Sequence, residues 1–141
     1  MVTPHILSRD EILKAELDSS GNVVLPTETV EVPEWHGSVI VRGLSGTARD
    51  AFEQSLIIQR GRKQETNLAN FRAKLVAQSV VDESGKTMFT EKDIDVLGSK
   101  SASALERVYA VAGRLSRLTN DDVEELTKAL GEVPSDSSGS V

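Results

Sequence analysis

Apolar positions recur at three- and four-residue steps over residues 67–81, where Leu68, Phe71, Leu75 and Val76 are interleaved with Arg72, Lys74 and Gln78. This spacing predicts an amphipathic helix with one buried face and places Leu75 in the core. The stretch runs into Val80 and Val81, turns at Asp82-Glu83-Ser84-Gly85 and returns as Thr87-Met88-Phe89. A helix that feeds a short extended piece and a glycine turn must pack the returning apolar pair nearby. Leu105, Val108, Tyr109, Ala112 and Leu115 mark a second long helix after the serines at 99, 101 and 103. Leu105 is expected to be a core residue.

The other helical segments are shorter. Ser8-Arg9-Asp10-Glu11 matches the capping box, in which the serine accepts from the third helical amide and the glutamate reaches back. Ile12, Leu13 and Leu17 follow before Asp18-Ser19-Ser20-Gly21-Asn22 breaks the pattern. So short a helix is marginal in water, and packing is expected to sustain it. Thr47 with Asp50 opens a helix that carries Ala48, Ala51, Phe52 and Leu56 on one face, widened by Ile57 and Ile58. Gln59-Arg60-Gly61-Arg62-Lys63-Gln64 ends it, with cations that suit the negative end of the helix dipole. Thr90-Glu91-Lys92-Asp93 starts another, with Ile94 and Leu97 inward and Gly98 as its C-terminal cap. Thr119-Asn120-Asp121-Asp122 caps the last, which carries Val123, Leu126 and Leu130 and closes at Gly131.

Period-two patterning is confined to residues 28–44. Glu28-Thr29-Val30-Glu31-Val32-Pro33 alternates strictly, and Ser38-Val39-Ile40-Val41-Arg42-Gly43-Leu44 is rich in β-branched residues. Glu34-Trp35-His36-Gly37 has the length of a hairpin turn, and Pro33 makes the first strand an edge strand. Residues 23–25 could add a strand, limited by Pro26. An isolated hairpin is marginal, so this one should dock on helices or on another chain. The pattern predicts a mainly α (α+β) fold: a small bundle of about five or six helices with one N-terminal β-hairpin. Residues 1–131 are expected to form a single domain. Residues 132–141, rich in Pro, Ser, Gly and Asp, are expected to be a disordered tail that folding does not need.

Composition narrows the function classes. With 141 residues and no cysteine, the chain has no disulfide and no thiolate metal site, as suits a reducing compartment. No run approaches the roughly 18 apolar residues of a membrane span, and the N-terminus lacks the features of a signal peptide. The net charge of −6 concentrates beyond residue 118, where six acids accompany one lysine. Binding nucleic acid through phosphate neutralisation is therefore not expected.

Candidate chemistry is sparse. His5 and His36 lie in the N-terminus and the hairpin turn, with no nucleophile or carboxylate at a suggestive spacing. Glu91, Asp93 and Asp95 read as helix-start acids, since the twelve-residue calcium loop is absent. Gly43-Leu44-Ser45-Gly46-Thr47 lacks the lysine of a phosphate-binding loop and reads as a turn with a helix cap. Arg60-Gly61-Arg62-Lys63 reads as a solvated loop. No catalytic, cofactor-binding or metal-binding residues are assigned, and an enzyme is not expected. Trp35 at the hairpin tip is either a core anchor or a binding surface. With the edge-strand valines it gives a candidate partner-binding set: Val30, Val32, Trp35, Val39 and Val41. The same front region, residues 29–44, is a candidate for self-association.

The order of segments is more specific than any one of them. Val30-Glu31-Val32-Pro33-Glu34-Trp35, then Val39-Ile40-Val41-Arg42-Gly43-Leu44-Ser45-Gly46 and Arg49-Asp50-Ala51-Phe52-Glu53, resembles the tail assembly chaperones of long-tailed (siphovirus-type) bacteriophages or prophages. Arg72-Ala73-Lys74-Leu75-Val76, Ser79-Val80-Val81-Asp82, Phe89, residues 93–97 and Ser101-Ala102-Ser103-Ala104-Leu105-Glu106-Arg107-Val108 extend the likeness to roughly residues 7–130. The resemblance implies a non-enzymatic protein that binds the tape measure protein and helps recruit tail tube subunits. It implies action in the host bacterial cytoplasm and absence from the mature virion. It also implies a longer product made by a programmed frameshift near the end of the gene. The alternative is a structural head–tail or tail-completion subunit retained in the particle.

Overall fold

A computed structural model describes residues 3–118. In chain order the elements are α1 (Arg9–Lys14), β1 (Thr27–Val32), β2 (Gly37–Arg42), α2 (Gly46–Ser55), β3 (Ile57–Arg60), β4 (Lys63–Thr66), α3 (Phe71–Ser79), β5 (Val80–Val81), α4 (Ile94–Gly98) and α5 (Ala102–Leu115). The helix expected from residue 120 and the tail at 132–141 lie outside the described residues.

The expectation of a mainly α bundle with one N-terminal hairpin is overturned. Among the described residues there are five α-helices and two sheets, of three and two strands, and the predicted hairpin follows α1 at residues 27–42. Two features account for the difference. Val80-Val81, read as an extended tail of the central helix, pairs antiparallel with Ile40 and Val41, so the hairpin becomes a sheet in the order β1-β2-β5. Residues 57–66, read as a helix end and a loop, form a second hairpin, with Ile57 opposite Thr66 and Arg60 opposite Lys63. Gly61 supplies the positive φ of 63° that its two-residue turn demands.

The helices end where local chemistry dictates. Ser45, not Thr47, caps α2 by accepting from the Ala48 amide. The central helix is shorter than its sequence pattern: α3 begins at Phe71, and Leu68 is exposed. At α5, Ser101 accepts from the Ala104 amide. Its far end closes with Arg117 at φ 57°, while Leu118 N–H donates to Gly113 O and Arg117 N–H to Arg114 O. This is a Schellman closure built on arginine in place of glycine.

One cluster forms the core. Val30 and Val32 of β1, Val41 of β2 and Val80 of β5 lie with Leu75 and Val76 of α3 and with Leu105 and Val108 of α5. Helix α5 packs across β1 and β2 and against α3. Phe52 and Leu56 of α2 complete it, and Phe71 joins Phe52 to Tyr109 through tilted ring contacts of 5.4 and 5.6 Å. Of the returning pair, Phe89 packs against the core and Met88 stays exposed.

Helix α1 departs from expectation in another way. Its capping box forms as read: Glu11 N–H donates to Ser8 Oγ at 3.2 Å and Ser8 N–H to Glu11 Oε1 at 2.8 Å. Yet none of its residues is buried. Capping sustains it where packing was expected to. The strand considered at residues 23–25 is reduced to one bridge, Leu17 to Val23.

Candidate functional site

The five candidate partner-binding residues divide by face. Side chains alternate across a strand, so Val30 and Val32 of β1 and Val41 of β2 point at α5 and are buried. Val39 shares that inner face and packs half-buried against the core. Trp35 is likewise half-buried against the core, and of the five it alone lines a groove. It ends a 3-10 turn, Pro33–Trp35, followed by His36 in the left-handed region at φ 57°. The tip is tied down by Glu34, whose carboxylate accepts from Arg107 Nε at 3.0 and 3.1 Å and from Ser103 Oγ at 2.8 Å, both on α5. Its own backbone amide, the Ser103 hydroxyl and the Arg107 guanidinium hold the Glu34 carboxyl below the ordinary carboxylate range.

Trp35 so placed borders a groove of about 470 Å³ with Phe89, Asp93, Val96, Leu97 and Lys100. Val96 of α4 is 62% exposed there. Asp93 anchors this wall by accepting from Thr90 N–H at 2.9 Å, and Asp95 accepts from Asn70 Nδ2 at 3.0 Å. On the opposite side of α4 a larger, more polar groove of about 760 Å³ is lined by Asn67, Asn70, Lys74, Gln78 and Thr87, among others. Phe89 lines both. Sequence reading missed Phe89 and Val96 as surface features. One signal was available: Val96 is apolar but out of register with Ile94 and Leu97 on a one-turn helix.

The sheet offers a second kind of surface. Gly43 N–H donates to Pro26 O at 2.8 Å, which fixes the alternation of β1–β2 rungs. Thr29 and Glu31 therefore turn their backbone groups away from β2, and no described strand pairs with that edge.

The remaining candidates have structural employment. His5 contacts Glu11 at 2.9 Å on the exposed α1 surface. Gly43 is where the hairpin touches α5, since a Cβ there would lie 2.8 Å from Leu115 O. Arg60 pairs with Glu65 at 3.4 Å within the second hairpin. Among the described residues no three His, Cys, Asp or Glu side chains converge as metal ligands. No described helix is long and apolar enough to cross a membrane. What the groove provides is apolar contact flanked by one acid and one base, which is recognition chemistry.

A family model described as phage tail assembly chaperone matches residues 16–129. The chain belongs to the phage tail assembly chaperone family. No match is found among curated proteins or among solved structures. The matched span takes in both sheets and both grooves and begins beyond α1. As a tail assembly chaperone the protein acts in tail assembly, where its partners are proteins. Membership also points to a non-enzymatic role.

Proposed function

We propose that this chaperone binds the tape measure protein, keeps it soluble and helps recruit tail tube subunits in the host cytoplasm, then leaves before the virion is complete. The family match across residues 16–129 carries the reading. The Trp35 groove supports it, because an apolar channel between a fixed hairpin tip and α4 suits one face of an amphipathic helix. In this reading Trp35 touches the partner. Val30, Val32, Val39 and Val41 act behind it by seating the hairpin on α5. Residues 1–131 work as one unit, and 132–141 form the tether at which a frameshifted product diverges.

The test is co-expression with the tape measure protein of the same phage. The expected result is a soluble complex that elutes as one species and shifts the emission of Trp35, the only tryptophan in the chain. A tape measure protein that stays insoluble, with no complex formed, overturns the reading. Mass spectrometry of purified virions should find none of this chain; a stoichiometric amount would make it a retained head–tail or tail-completion subunit.

A further inference from the structure

Strand β1 lies at the edge of its sheet without the usual protection. A bulge, a lysine or a proline within the strand is how natural sheets keep other chains off an open edge. The register of β1 with β2 runs unbroken from Thr27 opposite Arg42 to Val32 opposite Gly37, so no bulge twists it away. The strand carries no lysine or arginine, and Pro26 and Pro33 stand just outside its two ends. By the alternation fixed at Gly43, Thr27, Thr29 and Glu31 turn their amides and carbonyls outward. Among the described residues none of these groups takes a hydrogen bond, and all three residues are exposed.

The chemistry around this edge narrows what fits it. Glu28 pairs with Arg114 and Glu34 with Arg107, so α5 runs beneath β1 in the opposite direction. Val111 falls between the two arginines on one helix face and is half-buried against the core. Glu31 points to the other side of the sheet, where its neighbour across the ladder is Ser38. Among the described residues it has no cationic partner. A strand laid beside β1 would therefore set apolar side chains over Val111 and the arginine stems, and a cation beside Glu31. A second copy of β1 does not meet that demand, because each strand brings two glutamates and neither brings a cation. Nor does the chain beyond residue 118, with six acids and one lysine.

We infer that β1 is a docking edge for an extended, cation-bearing segment of a tail protein, which adds to the three-stranded sheet as a fourth strand. The outward amides and carbonyls of Thr27, Thr29 and Glu31 supply the main-chain hydrogen bonds. Charge complementarity to Glu31 and the apolar shelf of α5 select an occupant that alternates lysine or arginine with apolar residues. The inference stands whether or not the Trp35 groove is used.

The experiment titrates the full chain with overlapping labelled peptides that cover the tape measure and tail tube proteins of the same phage, read by fluorescence anisotropy. The tightest binders should carry an excess of lysine and arginine and lack proline. Amide hydrogen exchange followed by NMR should find Thr29 and Glu31 open in the free chain and protected in the complex. Glu28 and Val30, whose amides face β2, should be protected in both. Thr29→Pro removes one outward donor and spares the ladder to β2, since an edge strand accepts proline where its N–H faces solvent. It should weaken binding at least tenfold, as should Glu31→Lys, while Thr29→Val, which keeps the amide, should bind like the parent. The inference is overturned if no peptide binds, if binding is indifferent to Thr29→Pro and Glu31→Lys, or if Thr29 and Glu31 become protected in the chain alone as its concentration rises. None of these outcomes touches the co-expression test, because a tape measure helix can bind at Trp35 without the edge.

Discussion

The backbone amide of Leu44 donates to the hydroxyl of Ser116 at 2.9 Å, joining the end of the first hairpin to the last turn of α5 across 72 residues of sequence. Ser116 is buried, and the close approach at Gly43 lies beside it. Ser116→Ala would leave a partly buried donor unpaired, at a cost of about 1–2 kcal/mol. Urea unfolding checks this; a change below about 0.5 kcal/mol would mean that water satisfies the amide.

Leu75 is fully buried and Leu105 nearly so. Either leucine cut to alanine should cost about 2–5 kcal/mol, from lost transfer energy plus the cavity left behind. That is a large part of the stability of a domain this size. Chemical denaturation of both variants is the measurement, and a loss under about 1 kcal/mol for Leu75→Ala would contradict its place in the core.

Ser79 makes the opposite case. Its hydroxyl is buried and, among the described residues, has no hydrogen-bond partner. Removing it with Ser79→Ala should leave stability unchanged or raise it by up to about 1 kcal/mol, because no bond is lost and a desolvated polar atom disappears. A melting temperature several degrees lower would reveal a partner for the hydroxyl.

Acid should weaken the tie between hairpin tip and α5. The folded pKa of Glu34 is depressed, so its contribution is present above the unfolded value of about 4.3. That contribution is lost as pH falls through the lower folded value. Glu34→Gln should therefore be less stable than the parent at neutral pH, and the gap should close toward pH 3. Urea midpoints measured across that range decide it; a constant gap would mean that charge is not what Glu34 contributes.

How much of this could be read from the chain depends on whether the signal is local. The box at Ser8 and Glu11, the turn around Trp35 and the apolar face of α5 involve residues within a few positions of one another, and each forms where the pattern places it. The third strand was half legible: Val80 and Val81 read as extended, but the residues they pair with lie 39 and 41 positions earlier, and nothing nearby points to them. The second hairpin is more opaque, because six of its eight strand residues are polar and only Ile57 and Ile58 carry an apolar signal. The groove was half legible. Trp35 stood out by type, while Phe89 and Val96 meet it only through tertiary packing.

The join between α3 and β5 has no loop. Val80 is at once the C-terminal cap of the helix, donating to Val76 O, and the first residue of the strand. Sheet and helix layer are thus welded covalently in the middle of the core, with no residue free to act as a hinge. Motions that shift one against the other must break the β2–β5 rungs and the last turn of α3 together. Hydrogen exchange at Ile40 and Val81 should therefore report global unfolding, with no smaller opening available to either amide.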